Sequence, residues 1–151
     1  MILRRLKQFL NKEKVPYQVI EGPGNSLLGG TEKDCAKIVI VRAGSNDVMV
    51  VIPATYEVDL EKLRIFLDEP QASVESEDES ARLFPDCERG AMPAIGKLYD
   101  LPCFVDETLL DGSSVCFKGG HHHEWVRISS DEYWRIARAE VGDFRLRKMA
   151  V

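Results

Sequence analysis

Phe84-Pro85-Asp86-Cys87-Glu88-Arg89-Gly90-Ala91-Met92-Pro93-Ala94-Ile95-Gly96 is the stretch on which the reading of this chain turns. It brings three backbone breakers, Gly90, Pro93 and Gly96, into close order and reads as a loop. Immediately before it, Ser76-x-x-Glu79 is a capping-box pattern, which predicts a short helix ending near Phe84-Pro85. Immediately after it, Cys103-Phe104-Val105 reads as a strand. Upstream, the apolar runs 37–41 and 48–52 flank the turn cluster Gly44-Ser45-Asn46-Asp47 and predict a buried hairpin closed by Pro53. Asp59 is placed as the N-cap of a helix through Leu60, Leu63, Phe66 and Leu67. Downstream, residues 114–117 and 125–128 are strand candidates separated by Gly119-Gly120 and three histidines. Ser129-x-x-Glu132 then opens a helix through Tyr133, Trp134, Ile136 and Ala137.

The two ends complete the pattern. Ile2, Leu3, Leu6, Phe9 and Leu10 recur at helical spacing, predicting an amphipathic helix within residues 1–14 that Pro16 ends. Residues 17–20 follow as a short strand. Gly22-Pro23-Gly24-Asn25 and Gly29-Gly30 form a flexible stretch without the spacing of a phosphate loop. The tail, residues 142–151, is basic and is expected to fray. Strands and helices intermix without regular βαβ alternation, so the expected class is a mixed α+β domain, residues 1–151, with helices packed around a mixed or antiparallel sheet.

The chain has 151 residues and a net charge of −5, with 44% apolar and 30% charged residues. That is the size and balance of one soluble domain able to bury its own core. No apolar run approaches the length of a membrane helix, and residues 1–14 lack the apolar segment of a signal peptide, so a cytoplasmic location and no membrane partner are expected. The four cysteines, Cys35, Cys87, Cys103 and Cys116, contain no C-x-x-C pair. That spacing supports neither a zinc ribbon nor a redox motif. An acidic chain does not grip many phosphates by bulk charge. A nucleic-acid partner would have to meet a local basic patch, for which Arg4, Arg5, Lys7, Lys12 and Lys14, with Arg135, Arg138, Arg145, Arg147 and Lys148, are candidates. Solvated helix faces account for the same residues.

The 84–96 stretch resembles the signature of the YbaK-like, prolyl-tRNA-synthetase-associated editing domains: a glycine loop followed by proline and glycine. Residues 101–106 (LPCFVD) resemble that family's next strand, residues 36–41 (AKIVIV) its lysine-bearing strand, and residues 48–54 (VMVVIPA) the paired strand. Phe117-Lys118-Gly119-Gly120-His121-His122 resembles its glycine–histidine turn. The pieces stand in family order and cover roughly residues 17–137. The resemblance implies a mixed α/β domain with a central, partly barrel-like sheet. It implies a stand-alone trans-editing hydrolase that cleaves the ester of a mischarged aminoacyl-tRNA, without a cofactor. The partners it implies are the tRNA 3′ aminoacyl end and an aminoacyl-tRNA synthetase. It carries the family's essential lysine onto Lys37, its glycine-loop backbone onto residues 90–94, and its later histidine onto His122. Two departures stand out. The family loop often reads glycine, three residues, proline, whereas Ala94 holds that fifth position here. Glu21-Gly22-Pro23 stands where a histidine–proline turn is usual.

Hydrolysis of an aminoacyl ester needs a placed water and stabilisation of the oxyanion, for which each backbone N–H is worth about 3 kcal/mol. Gly90-Ala91-Met92 is the candidate carbonyl-binding loop, because glycine permits positive φ and close approach. A ligand-free surface turn is the plain alternative. Lys37 opens an otherwise apolar strand, either snorkelling at its end or aimed into a pocket. Pro93, Ala94, Gly120, His122 and Asp106 are the expected substrate-binding residues. Asp106 suits a pocket rim and the cap of the following turn equally. Three adjacent histidines, 121–123, cannot all reach one ion from a strand, so no metal is expected. Cys87 as a nucleophile would need a nearby base. Trp125 and Trp134 could stack on a terminal base, but their positions in a strand and a helix read as core. Two rival functions remain: a binding module for a tRNA end, nucleotide or protein that has kept the fold and lost the reaction, and a metal- or cysteine-dependent hydrolase.

Overall fold

A computed structural model describes residues 2–21 and 34–147. The glycine-rich segment after Glu21 and the last basic residue, Lys148, lie outside the described residues. Helix α1 (Arg4–Lys12) is followed by strand β1 (Gln18–Glu21). The central hairpin is β2 (Ala36–Ala43) and β3 (Asn46–Pro53). After β4 (Glu57–Val58), α2 (Leu60–Leu67), β5 (Ser73–Val74) and α3 (Glu77–Ala81) the chain enters the glycine loop. It emerges into β6 (Cys103–Asp106), the hairpin β7 (Ser114–Lys118) and β8 (Glu124–Ser129), helix α4 (Ser130–Ala137), and the short strands β9 (Glu140–Gly142) and β10 (Arg145–Leu146).

Local chemistry sets these boundaries. Asp59 accepts from Lys62 N–H at the start of α2, and Ser129 Oγ accepts from Glu132 N–H at the start of α4. Ser76 and Glu79 complete both arms of the capping box at α3. Helix α1 ends short of Pro16. Lys14 turns left-handed (φ 57°), Lys14 N–H donates to Asn11 O, and Val15 N–H donates to Leu10 O. That paired bond pattern closes a helix by itself.

The main sheet runs β5-β2-β3-β6-β9, antiparallel through β2 and β3 and parallel from β3 to β9. Its central strand β3 is apolar at every position from Val48 because both faces are covered. Met49 and Val51 join the large core with α1, Phe117 and Tyr133, while Val48, Val50 and Ile52 meet Leu63, Phe104 and Phe144 on the α2 side. The second sheet, β1-β8-β7, is antiparallel. Among the described residues, its one backbone bridge to the first sheet is Cys35 to Cys116. The chain is thus a mixed α+β fold of helices around a mixed sheet, as expected, and the sheets do not close into a barrel.

Two further expectations change. The segment after Gly142 is built into the fold as far as residue 147: Phe144 is fully buried and β10 pairs with β4. Trp134 is not core; it stands 49% exposed on α4, whereas Trp125 is buried. Among the described residues, no helix is long and apolar enough to cross a membrane.

Candidate functional site

The glycine loop and the turn after β7 are held together by backbone bonds. Glu88 N–H donates to Gly120 O at 2.9 Å, and Gly120 N–H donates to Ala91 O at 2.8 Å. Gly90 (φ 78°) and Gly120 (φ 105°) both sit where a side chain is strained. A Cβ on Gly120 would also collide with Leu3. The loop's far half anchors in the core: Ala91, Met92, Pro93, Ala94, Ile95 and Gly96 are all buried, and Tyr133 Oη donates to Ala94 O at 2.6 Å. Ala94 and Pro93 therefore support the loop from behind. Ala91 N–H is occupied by Glu88 O at 3.0 Å. Gly90 and Met92 N–H donate to no backbone carbonyl among the described residues.

Lys37 reaches this loop from the other sheet. It pairs with Ile52 across the hairpin, and its ammonium lies 3.0 Å from Glu57 Oε1. Lys37, Gly90 and Met92 line one cavity of about 200 Å³ together with Ala36, Ile38, Ala54, Lys118 and Trp125. The fold thus gathers residues distant in the chain. It also adds two that the sequence reading did not assign to the site, Lys118 and Trp125. These are direct cross-strand partners in the β7–β8 hairpin, with the Lys118 ammonium 5.5 Å from the Trp125 ring centroid. Burial holds Lys118 below the ordinary lysine pKa, against the opposing pull of Glu77 and Glu88.

His122 ties the cavity to the loop. Its Nδ1 lies 3.0 Å from Lys118 Nζ and its Nε2 lies 2.6 Å from Arg89 O. An ammonium can only donate and a carbonyl can only accept. The bonds therefore assign the neutral tautomer with the proton on Nε2. His121 faces Glu88 at 3.2 Å and His123 is exposed. The three histidines take separate directions, and no group of three or more potential metal-ligating side chains occurs among the described residues.

Asp106 is elsewhere. It is fully buried, its Oδ1 accepts from Phe144 N–H at 2.8 Å, and its Oδ2 accepts from Thr108 N–H and Oγ. Arg145 Nε stands 2.9 Å from Oδ2, an ion pair without an aligned hydrogen bond. The cap of the following turn is thus its place, and the pocket-rim expectation is corrected. Cys87 meets Tyr99 Oη and Asp86 rather than a histidine, and burial pushes its thiol up to about 11. A thiol held protonated is a poor nucleophile. The two basic clusters meet where Arg135 donates to Glu13 O at the end of α1. Arg5 is paired with Asp86, and Arg145 and Arg147 with Asp143.

The family model described as the aminoacyl-tRNA editing domain matches residues 24–136. No curated protein matches the chain. Among solved structures, a candidate trans-editing enzyme for prolyl tRNA synthetase superposes with a TM-score of 0.82 at 20% identity, covering 95% of this chain and 96% of the other. The hypothetical protein APE2540 superposes with a TM-score of 0.83 at 18% identity, over 95% and 100% of the two chains. A scaffold from computational epitope-backbone grafting gives 0.83 at 20% identity, over 96% and 97%. At these identities the likeness is one of fold.

Proposed function

The chain belongs to the aminoacyl-tRNA editing domain family, and from that premise we propose that it deacylates mischarged aminoacyl-tRNA in trans by hydrolysing the ester at the tRNA 3′ end. The observation that carries this reading is the shared cavity: Lys37 from β2 and the Gly90 and Met92 backbone from the glycine loop line the same 200 Å³ space. Its volume and its apolar walls, Ala36, Ala54 and Met92, suit a small aminoacyl group.

In this reading the substrate carbonyl oxygen faces the Gly90 and Met92 N–H groups. Water adds to the carbonyl carbon, and the negative charge that develops on the oxygen is met by those two donors. The carbon–oxygen bond to the ribose then breaks. One water proton ends on the ribose oxygen, so the products are the free amino acid and a tRNA with an intact 3′ hydroxyl. Lys37, held by Glu57 at 3.0 Å, anchors the ribose or terminal phosphate, or polarises the ester. His122 acts at one remove, fixing the Arg89–Gly90 backbone. Gly120 N–H and Ala91 O clamp the loop's shape. A synthetase is the second expected partner.

The experiment is deacylation of a panel of mischarged tRNAs. Turnover of one member by wild type, with amino acid released catalytically, is the expected result. Saturable binding of every member without turnover would instead favour a module that keeps the fold and lacks the reaction.

A further inference from the structure

We infer that Lys118 is a second ligand-binding cation of the cavity, one that receives an oxyanion, a carboxylate or phosphate oxygen, of the bound molecule. This rests on the cavity being the acyl-end site proposed above. The two cavity lysines differ. The Lys37 ammonium already has a carboxylate at 3.0 Å. Lys118 has none within ion-pair distance among the described residues: its bond is to His122 Nδ1, and its other neighbour is the Trp125 ring. Glu77 and Glu88 act on it only from beyond ion-pair distance, and Glu88 is engaged with His121.

An ammonium has three N–H donors, and the His122 bond uses one. A partly buried cation without a carboxylate in contact is costly to hold. An oxyanion entering the cavity would supply the missing partner through a charge-assisted hydrogen bond, strengthened by the apolar walls that exclude water. The proposed substrate carries two sources of such an oxygen: a carboxylate on the aminoacyl side chain, and the phosphodiester of the terminal nucleotide.

Trp125 provides the readout, since the Lys118 ammonium lies 5.5 Å from its ring. Trp134, 49% exposed on α4 and outside the cavity, is replaced by phenylalanine so that Trp125 alone reports. The full chain carrying Trp134→Phe is titrated with inorganic phosphate, with acetate, and with acetamide as the neutral control. Saturable change with an anion and none with acetamide is expected. Lys118→Met should weaken that binding by about tenfold or more, one charge-assisted bond, while Lys118→Arg keeps it within a few-fold. A response to phosphate alone assigns the position to the tRNA backbone, and a response to acetate assigns it to a side-chain carboxylate. Equal anion affinity in the Lys118→Met protein, or no saturable response to either anion, overturns the inference. The readout needs no turnover, so a chain that binds the anion through Lys118 and hydrolyses no ester would keep this inference and lose the deacylase reading.

Discussion

His122 Nε2 lies 2.6 Å from the carbonyl oxygen of Arg89, the residue that precedes Gly90. The ring's other nitrogen takes a hydrogen bond from Lys118, so one imidazole spans from the cavity lysine to the glycine loop. His122→Ala should free the loop without opening the core. We expect kcat/KM for deacylation to fall about 10- to 100-fold and stability to fall by about 1 kcal/mol, the worth of an ordinary hydrogen bond. Steady-state kinetics beside a urea melt checks both numbers.

Gly90 accepts a side chain poorly on two counts. Its φ is 78°, and a Cβ there would run into the Glu77 carboxylate. Gly90→Ala is expected to lower deacylation by about tenfold or more, since it displaces a donor aimed at the carbonyl. Adding Glu77→Ala removes the collision but not the left-handed strain of about 1 kcal/mol. The double variant should therefore recover only part of the loss, measured by single-turnover deacylation.

How far the sequence revealed this arrangement can be judged residue by residue. The hairpin of β2 and β3 was legible because its apolar β-branched runs are long and bracket an obvious turn. The caps at Asp59, Ser76 and Ser129 were legible because capping is local chemistry. Lys37 and Gly90 were reached through family resemblance, not periodicity. Lys118 and Trp125 were missed. Their adjacency depends on the register across Gly119-Gly120, where Lys118 faces Trp125, and a two-glycine turn with three histidines leaves that register open. The C-terminal strands β9 and β10 were also missed. Each is too short to show a period, and their place is fixed by long-range pairing and by Phe144. Asp106 was ambiguous for the same reason: its partners Phe144 and Arg145 lie 38 and 39 positions further along the chain.

The depressed pKa of Lys118 carries a stability consequence. Burial disfavours its charged form in the folded state. A lysine shifted downward costs stability wherever it is protonated in both states. That cost is relieved as pH rises through the folded value toward the unfolded one. The stability of wild type relative to Lys118→Met should therefore rise as the pH climbs toward the lysine range. Thermal melts across that interval check the sign.

Asp106 should behave as a structural residue. Asp106→Ala leaves Arg145, a mostly buried cation, without its closest partner and breaks the bond to Phe144 N–H. The expected cost is about 3–5 kcal/mol of folding free energy. Activity per folded molecule should stay close to wild type. Full stability with lost turnover would return Asp106 to the substrate's side.

The central claim is that Lys37 and the Gly90–Met92 backbone form one deacylating site. The most direct measurement is deacylation of a panel of mischarged tRNAs by wild type and by Lys37→Ala, with circular dichroism on both to establish equal folding. The account predicts multiple turnovers of one substrate class by wild type and none above background by Lys37→Ala. Turnover at an unchanged rate by a folded Lys37→Ala protein would contradict it.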